Sequence, residues 1–303
     1  MAEAARFHGP RPLGKSGLTL SAIGWGMWRF RGVDVRAAQA LIEAALAGGI
    51  NFFDTADVYG LDNGEPFGAA EVLLGRVFEV APHLRQQMIL ATKGGIEIGT
   101  PYNSSAKYLI EACDASLRRM KIDRVELYQI HRPDILAHPS EIAEAFEKLR
   151  KAGKVAEFGV SNYTPAQTAA LIEHLPFPLA SIQPEFSPLA IEPLADGTLD
   201  QAIAHGLTVL AWSPLSGGRL AGSGEDVRTR AVIAALDEIA LRKGVSRSVV
   251  CFAWILGHAA KPIPLVGSQH AHRIHDAMQA IEVALSRSEW YFILTAARGA
   301  PLP

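Results

Sequence analysis

Short apolar runs alternate with longer amphipathic patterns along nearly the whole chain, and this alternation restricts the fold more than any other feature. Eight runs have the length of a strand, at residues 22–24, 51–54, 88–93, 125–131, 155–161, 179–183, 207–212 and 263–266. The segments between them repeat apolar residues every three or four positions, as at Ile142, Ala145 and Phe146, which is typical of a helix with one buried face. A strand and then a helix, repeated eight times, indicates a parallel sheet with helices packed outside it.

The number of repeats separates two parallel architectures. Eight units in 303 residues fit a closed (β/α)8 TIM barrel. An open doubly wound sheet is the alternative, and its first strand is usually followed by a G-x-G-x-x-G turn. Gly24-Trp25-Gly26 begins such a pattern, but Arg29 stands in place of the third glycine. The sequence therefore predicts an α/β fold of the TIM-barrel class.

Two segments fall outside the eight repeats. Residues 11–20, with a turn at Gly14-Lys15-Ser16-Gly17, predict an N-terminal hairpin that caps one end of the barrel. Residues 228–243 predict an extra helix before the helix of residues 246–256. Because no low-complexity segment or linker interrupts the chain, we expect a single domain over residues 1–303.

Composition and charge exclude several classes of partner. A net charge of −2 gives no overall basic field that would attract nucleic acid or an anionic membrane. No apolar run is long enough for a transmembrane helix, and residues 1–10 lack the features of a secretory signal. Cys113 and Cys251 lie in separate predicted helices and indicate neither a disulfide framework nor a cysteine metal cluster. We expect a cytoplasmic protein and, without a coiled coil or an apolar stripe, a monomer.

Polar side chains close successive predicted strands at the end where a parallel barrel gathers its functional groups. Asp54 and Tyr59 follow the second strand, Lys93 ends the third, and His131 ends the fourth. The next three strands also end in polar or aromatic residues, namely Ser161 with Asn162, Gln183, and Trp212 with Ser213. Packing alone would not select this series, so it indicates a functional site at the barrel mouth.

Four of these residues make chemical sense around a carbonyl group. A carbonyl that accepts a hydride becomes an alkoxide and needs a proton, which Tyr59 can donate. Because an unperturbed phenol has a pKa of about 10, an ammonium at Lys93 is expected to lower that pKa, and Asp54 to keep the lysine charged. His131 is expected to hydrogen-bond the carbonyl oxygen and orient the substrate.

Each of these residues also has a purely structural interpretation. Alone, Asp54 could cap a loop, Tyr59 could be a partly buried structural tyrosine, and His131 could be a satisfied core histidine. Lys93 is harder to explain this way, because lysine is rarely buried without a partner. In a hydrolase or aldolase of this fold, Lys93 would instead form a Schiff base. The four residues together favour the reductive site.

Two other patterns have superficial likenesses to known sites but lack residues that those sites need. Gly159-Val160-Ser161-Asn162 is superficially like a nucleophile elbow, but the closing glycine is absent. His270, His272 and His275 lack an established zinc spacing and a completing carboxylate or cysteine, so we expect no metal.

Four motifs, in this order, resemble those of the aldo-keto reductases. They are NFFDTADVYG at 51–60, ATKGG at 91–95, LYQIHRPD at 127–134 and FGVSNYT at 158–164. The resemblance runs from residues 24–28 to the helix beginning near His270, and AWSPLSGGRLAG and PIPLVGSQ are similar to a bacterial branch with a short C-terminal tail. It implies a catalytic tetrad of Asp54, Tyr59, Lys93 and His131 that reduces a small-molecule aldehyde or ketone.

The resemblance also implies that NADP(H) lies extended across the barrel mouth. Ser161, Asn162 and Gln183 match residues that bind the nicotinamide carboxamide, Trp212 matches a stacking aromatic, and residues 213–220 match the loop over the pyrophosphate. The full set of implied cofactor contacts is Gly26, Met27, Trp28, Asp54, Ser161, Asn162, Gln183, Trp212, Ser213, Leu215, Gly217, Gly218, Arg219, Gly267, Ser268, Gln269 and Arg273. The expected substrate contacts are Trp28, Tyr59, His131 and Phe186.

Two positions depart from the family pattern. Trp212 replaces a common tyrosine, and Gly267 stands where many members carry a phosphate-binding lysine. Arg273 can still make a bidentate phosphate contact, so NADP(H) is expected rather than NAD(H). Relatives of the fold also serve as accessory subunits of potassium channels, so a cofactor-binding regulatory module with little turnover is the alternative function. The complete tetrad favours an enzyme.

Overall fold

Eight parallel strands close into a barrel in the computed structural model, which describes residues 9–302. With a two-stranded hairpin before them, the strands are β1 (Arg11–Pro12), β2 (Thr19–Leu20), β3 (Gly24–Gly26), β4 (Phe52–Asp54), β5 (Ile89–Gly94), β6 (Val125–Ile130), β7 (Val155–Ser161), β8 (Ser181–Gln183), β9 (Thr208–Ala211) and β10 (Ile263–Val266). Strands β3 to β10 follow one another in chain order, and β10 pairs with β3 to close the ring. The predicted TIM barrel is confirmed; residues 1–8 and 303 of the predicted single domain lie outside the described residues.

Helices pack around the barrel wall. They are α1 (Val35–Ala47), α2 (Ala69–Val80), α3 (Ala106–Met120), α4 (Pro139–Lys151), α5 (Pro165–Ile172), α6 (Thr198–His205), α7 (Val227–Lys243), α8 (Arg247–Leu256), α9 (Ala271–Met278) and α10 (Arg287–Arg298). Side-chain caps fix several starts, for example Thr164 before α5 and Ser286 before α10, which both form capping boxes. The extra helix predicted over 228–243 is confirmed as α7, and α10 packs against it. Among the described helices, none has both the length and the apolar character needed to cross a membrane.

The hairpin of β1 and β2 closes the N-terminal end of the barrel, as predicted. Leu13 and Leu20 are completely buried there. The backbone N–H of Gly14 donates to Thr208 Oγ1 at 2.7 Å, and that hydroxyl donates to the carbonyl of Pro12 at 2.7 Å. Together with the two leucines, a layer of apolar side chains fills the lower barrel, and we call it the apolar floor: Phe52, Ala91, Leu127, Ala180, Leu210, Ile263 and Leu265.

The first barrel strand differs from its prediction by two residues. The apolar run predicted a strand at 22–24, whereas β3 spans Gly24–Gly26. The chain before it bends, and the Ser21 hydroxyl donates to the carbonyl of Ile23 at 2.6 Å. Gly24 leaves room for the floor, because a Cβ atom there would lie 2.7 Å from Phe52 and 2.8 Å from Leu265.

Candidate active site

The four residues of the predicted tetrad meet at the C-terminal ends of three neighbouring strands. Asp54 ends β4, Lys93 is the penultimate residue of β5, and His131 directly follows β6. Tyr59 lies in the loop after β4. The parallel pairing sets Lys93 beside Gln129 of β6, two residues before His131. The structure therefore brings all four side chains to one point at the barrel mouth.

Lys93 is the centre of the tetrad, and it is completely buried. Its Nζ donates to Asp54 Oδ2 at 2.7 Å, to the carbonyl of Thr55 at 2.8 Å and to the Tyr59 hydroxyl at 3.0 Å. An ammonium has three hydrogens, so every one of them is used. Burial is the largest single effect and would lower the pKa of Lys93, but the charges and hydrogen bonds of Asp54 and Tyr59 together outweigh it, and the pKa is raised above its ordinary value. Lys93 is therefore a charged and rigidly held group.

The hydroxyl oxygen of Tyr59 accepts a hydrogen bond from Lys93. The hydroxyl hydrogen of Tyr59 takes no part in that bond, so it can be donated to another group. Burial raises the pKa of Tyr59 above its ordinary value, and the Lys93 ammonium lowers it by less than burial raises it. Lys93 thus lowers the pKa of Tyr59 as expected, but burial has the larger effect and the net shift is upward. The phenol stays protonated at neutral pH, which is the state that a proton donor needs.

His131 is a neutral hydrogen-bond donor beside that phenol. Its ring lies edge-on to the Tyr59 ring, with 5.7 Å between the centroids, and it is only 9% exposed. Burial lowers the pKa of His131 well below its ordinary value, and the charges of Lys93 and Arg132 lower it further. Nδ1 is buried with no hydrogen-bond partner among residues 9–302. A buried polar atom without a partner indicates a position where a water molecule or a ligand would form the missing hydrogen bond.

Two glutamines bind the second carboxylate oxygen of Asp54. Gln183 Nε2 donates to Asp54 Oδ1 at 3.0 Å, and Gln129 Nε2 donates to the same atom at 3.2 Å. Gln129 was not among the predicted site residues, although its position gave a signal. It lies two residues before His131 in an apolar strand, so both side chains point into the barrel. A polar group in such a strand needs a buried partner, and Asp54 is that partner.

The end of β7 organises the side of the mouth next to His131. Asn162 has a φ of +61°, a left-handed conformation that asparagine tolerates. Its Nδ2 donates to the carbonyl of His131 at 3.1 Å and to Ser161 Oγ at 2.9 Å. Its Oδ1 accepts a hydrogen bond from Trp212 Nε1 at 2.9 Å. Asn162 thus fixes both Ser161 and the half-buried ring of Trp212, and its own polar atoms are engaged.

The loop after β9 leaves a stretch of backbone open. Gly217 and Gly218 are exposed, and a Cβ atom added to either would meet no other atom within 4 Å. Ser213 Oγ accepts a hydrogen bond from the N–H of Gly217 at 2.7 Å and holds the turn. Half-buried Leu215 packs against the core, and exposed Arg219 donates to the carbonyl of Ser216 at 3.3 Å. The N–H of Gly218 donates to the carbonyl of Leu215 at 3.0 Å, so the N–H groups of both glycines are used within the turn.

The end of β10 lies across from that loop. Gly267, Ser268 and Gln269 are half-buried, and Arg273 is exposed in the first turn of α9. The carbonyl of Ser268 accepts a hydrogen bond from Trp25 Nε1 at 3.0 Å. We call the surface formed by Trp212, residues 213–219, residues 267–269 and Arg273 the cofactor groove.

The segment after β3 is only partly open to this groove. Gly26 pairs with Asp54 and is half-buried, while Trp28 is 38% exposed at the rim. Met27 is completely buried. Its N–H donates to the carbonyl of Asp54 at 2.8 Å, and its carbonyl accepts a hydrogen bond from the N–H of Phe30 at 2.9 Å. Contrary to its prediction as a cofactor contact, Met27 offers no surface to a ligand and instead supports the loop.

Phe186 also differs from its prediction as a substrate contact. It is completely buried, and its ring packs on Trp254 of α8 with 5.3 Å between the centroids. It therefore belongs to the packing between barrel and helix. The other expected substrate contacts, Trp28, Tyr59 and His131, lie at the mouth.

The residues of the cofactor groove that could hold a dinucleotide are Trp212, the glycine turn after it and exposed Arg273. Trp212 is joined through Asn162 to the carbonyl of His131. A flat ring, an anionic bridge and a terminal phosphate would meet these features in that order. Within residues 9–302, no three or more histidine, cysteine or acidic side chains are grouped to hold a metal ion.

The model of the Aldo/keto reductase family matches residues 22–295. A 6-dehydroglucose reductase of Novosphingobium aromaticivorans is 51% identical over 295 residues, which are 97% of this chain and 97% of that protein. A 6-dehydroglucose reductase of Agrobacterium fabrum is 36% identical over 93% of this chain and 96% of its own. The crystal structure of the aldo-keto reductase Tm1743 with the inhibitor epalrestat superposes with a TM-score of 0.81 over 95% of this chain and 99% of that chain; at 22% identity this shows the shared fold.

Proposed function

Because the chain belongs to the aldo/keto reductase family, we propose that it reduces an aldehyde or ketone to an alcohol with a hydride from NADPH. One observation carries the proposal: Lys93 directs its three hydrogens to Asp54, to the carbonyl of Thr55 and to Tyr59. This arrangement holds a protonated phenol beside a fixed positive charge at the barrel mouth. The same bonds argue against a Schiff-base role, because a charged amine with every hydrogen engaged is a poor nucleophile.

In the proposed reaction, Tyr59 is the proton donor. The bound cofactor supplies the hydride to the carbonyl carbon. As negative charge grows on the carbonyl oxygen, the Tyr59 hydroxyl transfers its proton there, so a neutral alcohol forms. The phenolate left behind lies 3.0 Å from the Lys93 ammonium, which stabilises it. The balance is one hydride and one proton added to the carbonyl group.

His131 positions the carbonyl oxygen for this transfer. A neutral imidazole has one N–H to donate, and the lowered pKa keeps His131 in that form at neutral pH. Its ring lies against that of Tyr59, so one oxygen atom can meet both donors. Because the imidazole is neutral, it does not compete with the phenol as the acid.

The groove residues have distinct parts in cofactor binding under this proposal. We assign the Trp212 face to the nicotinamide ring and the side chains of Ser161 and Gln183 to its carboxamide. Asn162 acts through its neighbours, since its amide already holds Ser161 and Trp212. The open backbone after β9 would receive the pyrophosphate, and Arg273 the 2′-phosphate.

We further propose a sugar aldehyde as the substrate class. Two relatives that match nearly the full chain are named 6-dehydroglucose reductase, one of them at 51% identity. Exposed Trp28 offers a flat apolar surface at the rim, while Tyr59 and His131 supply hydrogen-bond donors. A pocket with an aromatic wall and a few convergent polar groups suits a small polyhydroxy aldehyde. The monomeric state and the cytoplasmic location expected from the sequence stay predictions.

The test compares Tyr59→Phe with the unaltered chain. This variant should keep its affinity for NADPH, measured by calorimetric titration, because the ring and its packing are retained. Its kcat/KM should fall by about 10²- to 10⁴-fold, the range for the loss of a general acid. The assay follows NADPH oxidation with 6-dehydroglucose and a panel of simple aldehydes and ketones.

Tyr291→Phe is the matched control, because that phenol is exposed on α10, away from the mouth. It should leave turnover unchanged. Near-normal turnover by Tyr59→Phe would contradict the proposed acid. If the unaltered chain bound NADPH but reduced no carbonyl on the panel, the regulatory alternative would replace the proposal.

A further inference from the structure

The guanidinium of Arg29 lies beside Gly267, although Arg29 comes from the loop after β3. Its Nη1 is 3.7 Å from the position that a Cβ atom at Gly267 would occupy. Its Nη2 donates to the carbonyl of Gly217 at 3.4 Å. The guanidinium therefore spans the cofactor groove from the loop after β9 to the end of β10. From the sequence alone, Arg29 was notable only because it interrupts a glycine pattern.

The guanidinium is available to an anion. Arg29 is exposed, and no carboxylate among residues 9–302 forms an ion pair with it. Its remaining contacts are weak: it lies over the ring of Trp28, 4.8 Å from the centroid, and its bond to Gly217 is long. A phosphate would offer this planar fork of donors a stronger, charge-assisted partner than a single carbonyl oxygen.

The backbone that carries Arg29 is anchored by the two residues that follow it. The next residue, Phe30, is almost completely buried and packs edge-on against Trp25, with 5.6 Å between the ring centroids. The N–H of Arg31 donates to Gln269 Oε1 at 3.3 Å, and its guanidinium donates to the carbonyl of Asn63 at 2.6 Å. Arg29 thus projects over the groove from an anchored loop, so little order is lost when it binds.

We propose that Arg29, together with Arg273, binds the 2′-phosphate of NADP(H) in place of the lysine that position 267 lacks. Gly267 is then the space that the guanidinium uses, because a long side chain there would begin in contact with Arg29. The inference rests on the proposed function, since it concerns the cofactor of that reaction. A phosphate monoester carries close to two negative charges at neutral pH, so two guanidinium groups suit it.

The test is calorimetric titration of the full chain with NADPH and with NADH, which needs no turnover. Arg29→Ala should raise the Kd for NADPH by about 10- to 100-fold, the range expected for a lost hydrogen bond to a charged group. The Kd for NADH should change by less than about threefold, because NADH has no 2′-phosphate. Arg36→Ala is the matched control: it removes an exposed arginine from the first turn of α1 and should change neither Kd.

A double variant tests the exchange of positions directly. Gly267 does not have a positive φ, so a lysine there meets no backbone strain, and without Arg29 its first atom meets open space. Arg29→Ala with Gly267→Lys should therefore recover most of the affinity for NADPH that Arg29→Ala loses. Arg29→Ala that binds NADPH as the unaltered chain does, or that weakens NADPH and NADH equally, would overturn the assignment. An unaltered chain that binds neither dinucleotide would overturn the proposed function as well.

Discussion

The tetrad and the cofactor groove lie at the same end of the barrel, but they are held in opposite ways. In the tetrad, Lys93 is completely buried, and its three hydrogen bonds measure 2.7 to 3.0 Å. In the groove, Arg29 and Arg273 are exposed, and the bond between Arg29 and Gly217 measures 3.4 Å. A buried charge must be paired within the protein, whereas an exposed charge is hydrated and can stay unpaired until a ligand binds.

Because of this difference, the residues proposed for proton transfer and those proposed for cofactor binding are under different constraints. The tetrad geometry contributes to the stability of the fold, because an unpaired Asp54 or Lys93 inside the barrel would lower the free energy of unfolding. The groove can exchange one cation for another, as between position 267 and position 29, with no effect on the core. We therefore expect mutations in the two regions to affect different measured quantities.

The largest effect is expected for Lys93→Met. The variant leaves the Asp54 carboxylate buried without its cation, and breaking a buried ion pair in this way costs about 3–5 kcal/mol. Urea unfolding should show that loss in the free energy of unfolding, and kcat should fall by at least about 100-fold because the phenolate loses its stabilising charge. Lys148→Met, on the exposed face of α4, is the control and should change neither quantity. A loss of stability under about 1 kcal/mol would mean that the tetrad is held no more tightly than a surface pair.

The second effect is on the pH profile. Because burial raises the pKa of Tyr59 above its ordinary value, the acid form persists through neutral pH. The kcat/KM for carbonyl reduction should stay flat up to at least about pH 10 and then fall about tenfold per pH unit as the phenol ionises. No break should appear between pH 6 and about pH 7, since the pKa of His131 lies well below its ordinary value of about 6.5. A descending limb near pH 7 would show that the Lys93 charge outweighs burial.

The smallest effects are expected from a pair of aromatic substitutions that separate the mouth from the packing behind it. Trp28→Ala should raise the KM for the carbonyl substrate by about three- to tenfold at saturating NADPH, with no change in Tm, because the side chain is at the rim. Phe186→Leu should lower the free energy of unfolding by about 1 kcal/mol without changing that KM, because its ring packs on Trp254. The reverse pattern would restore Phe186 as a substrate contact.

The tetrad could be predicted from sequence because its residues lie at or just beyond strand ends. A parallel barrel brings those ends together whatever the loops do, so Asp54, Lys93 and His131 needed only the correct order of strands. Gln129 could have been found by the same logic, from its register with His131. The eight-strand architecture followed from periodicity for the same reason.

Loop geometry is what the sequence did not determine. Phe186 follows β8, but its position does not say that its ring turns toward α8. Arg29 and Gly267 are far apart in the chain, and only the path of the loop after β3 brings them together. The start of β3 was misplaced because a three-residue strand is too short for a clear alternation, and the fit of Gly24 against Phe52 depends on the packed barrel.

The apolar floor also bears on how the enzyme recovers after each turnover. Leu13 and Leu20 close the barrel at the end opposite the tetrad, and the side chains of the apolar floor carry no titratable group. Under the proposed mechanism, a proton that Tyr59 gives up would be replaced from the mouth rather than through the floor. Return of the proton and release of the product would then use the same end of the barrel.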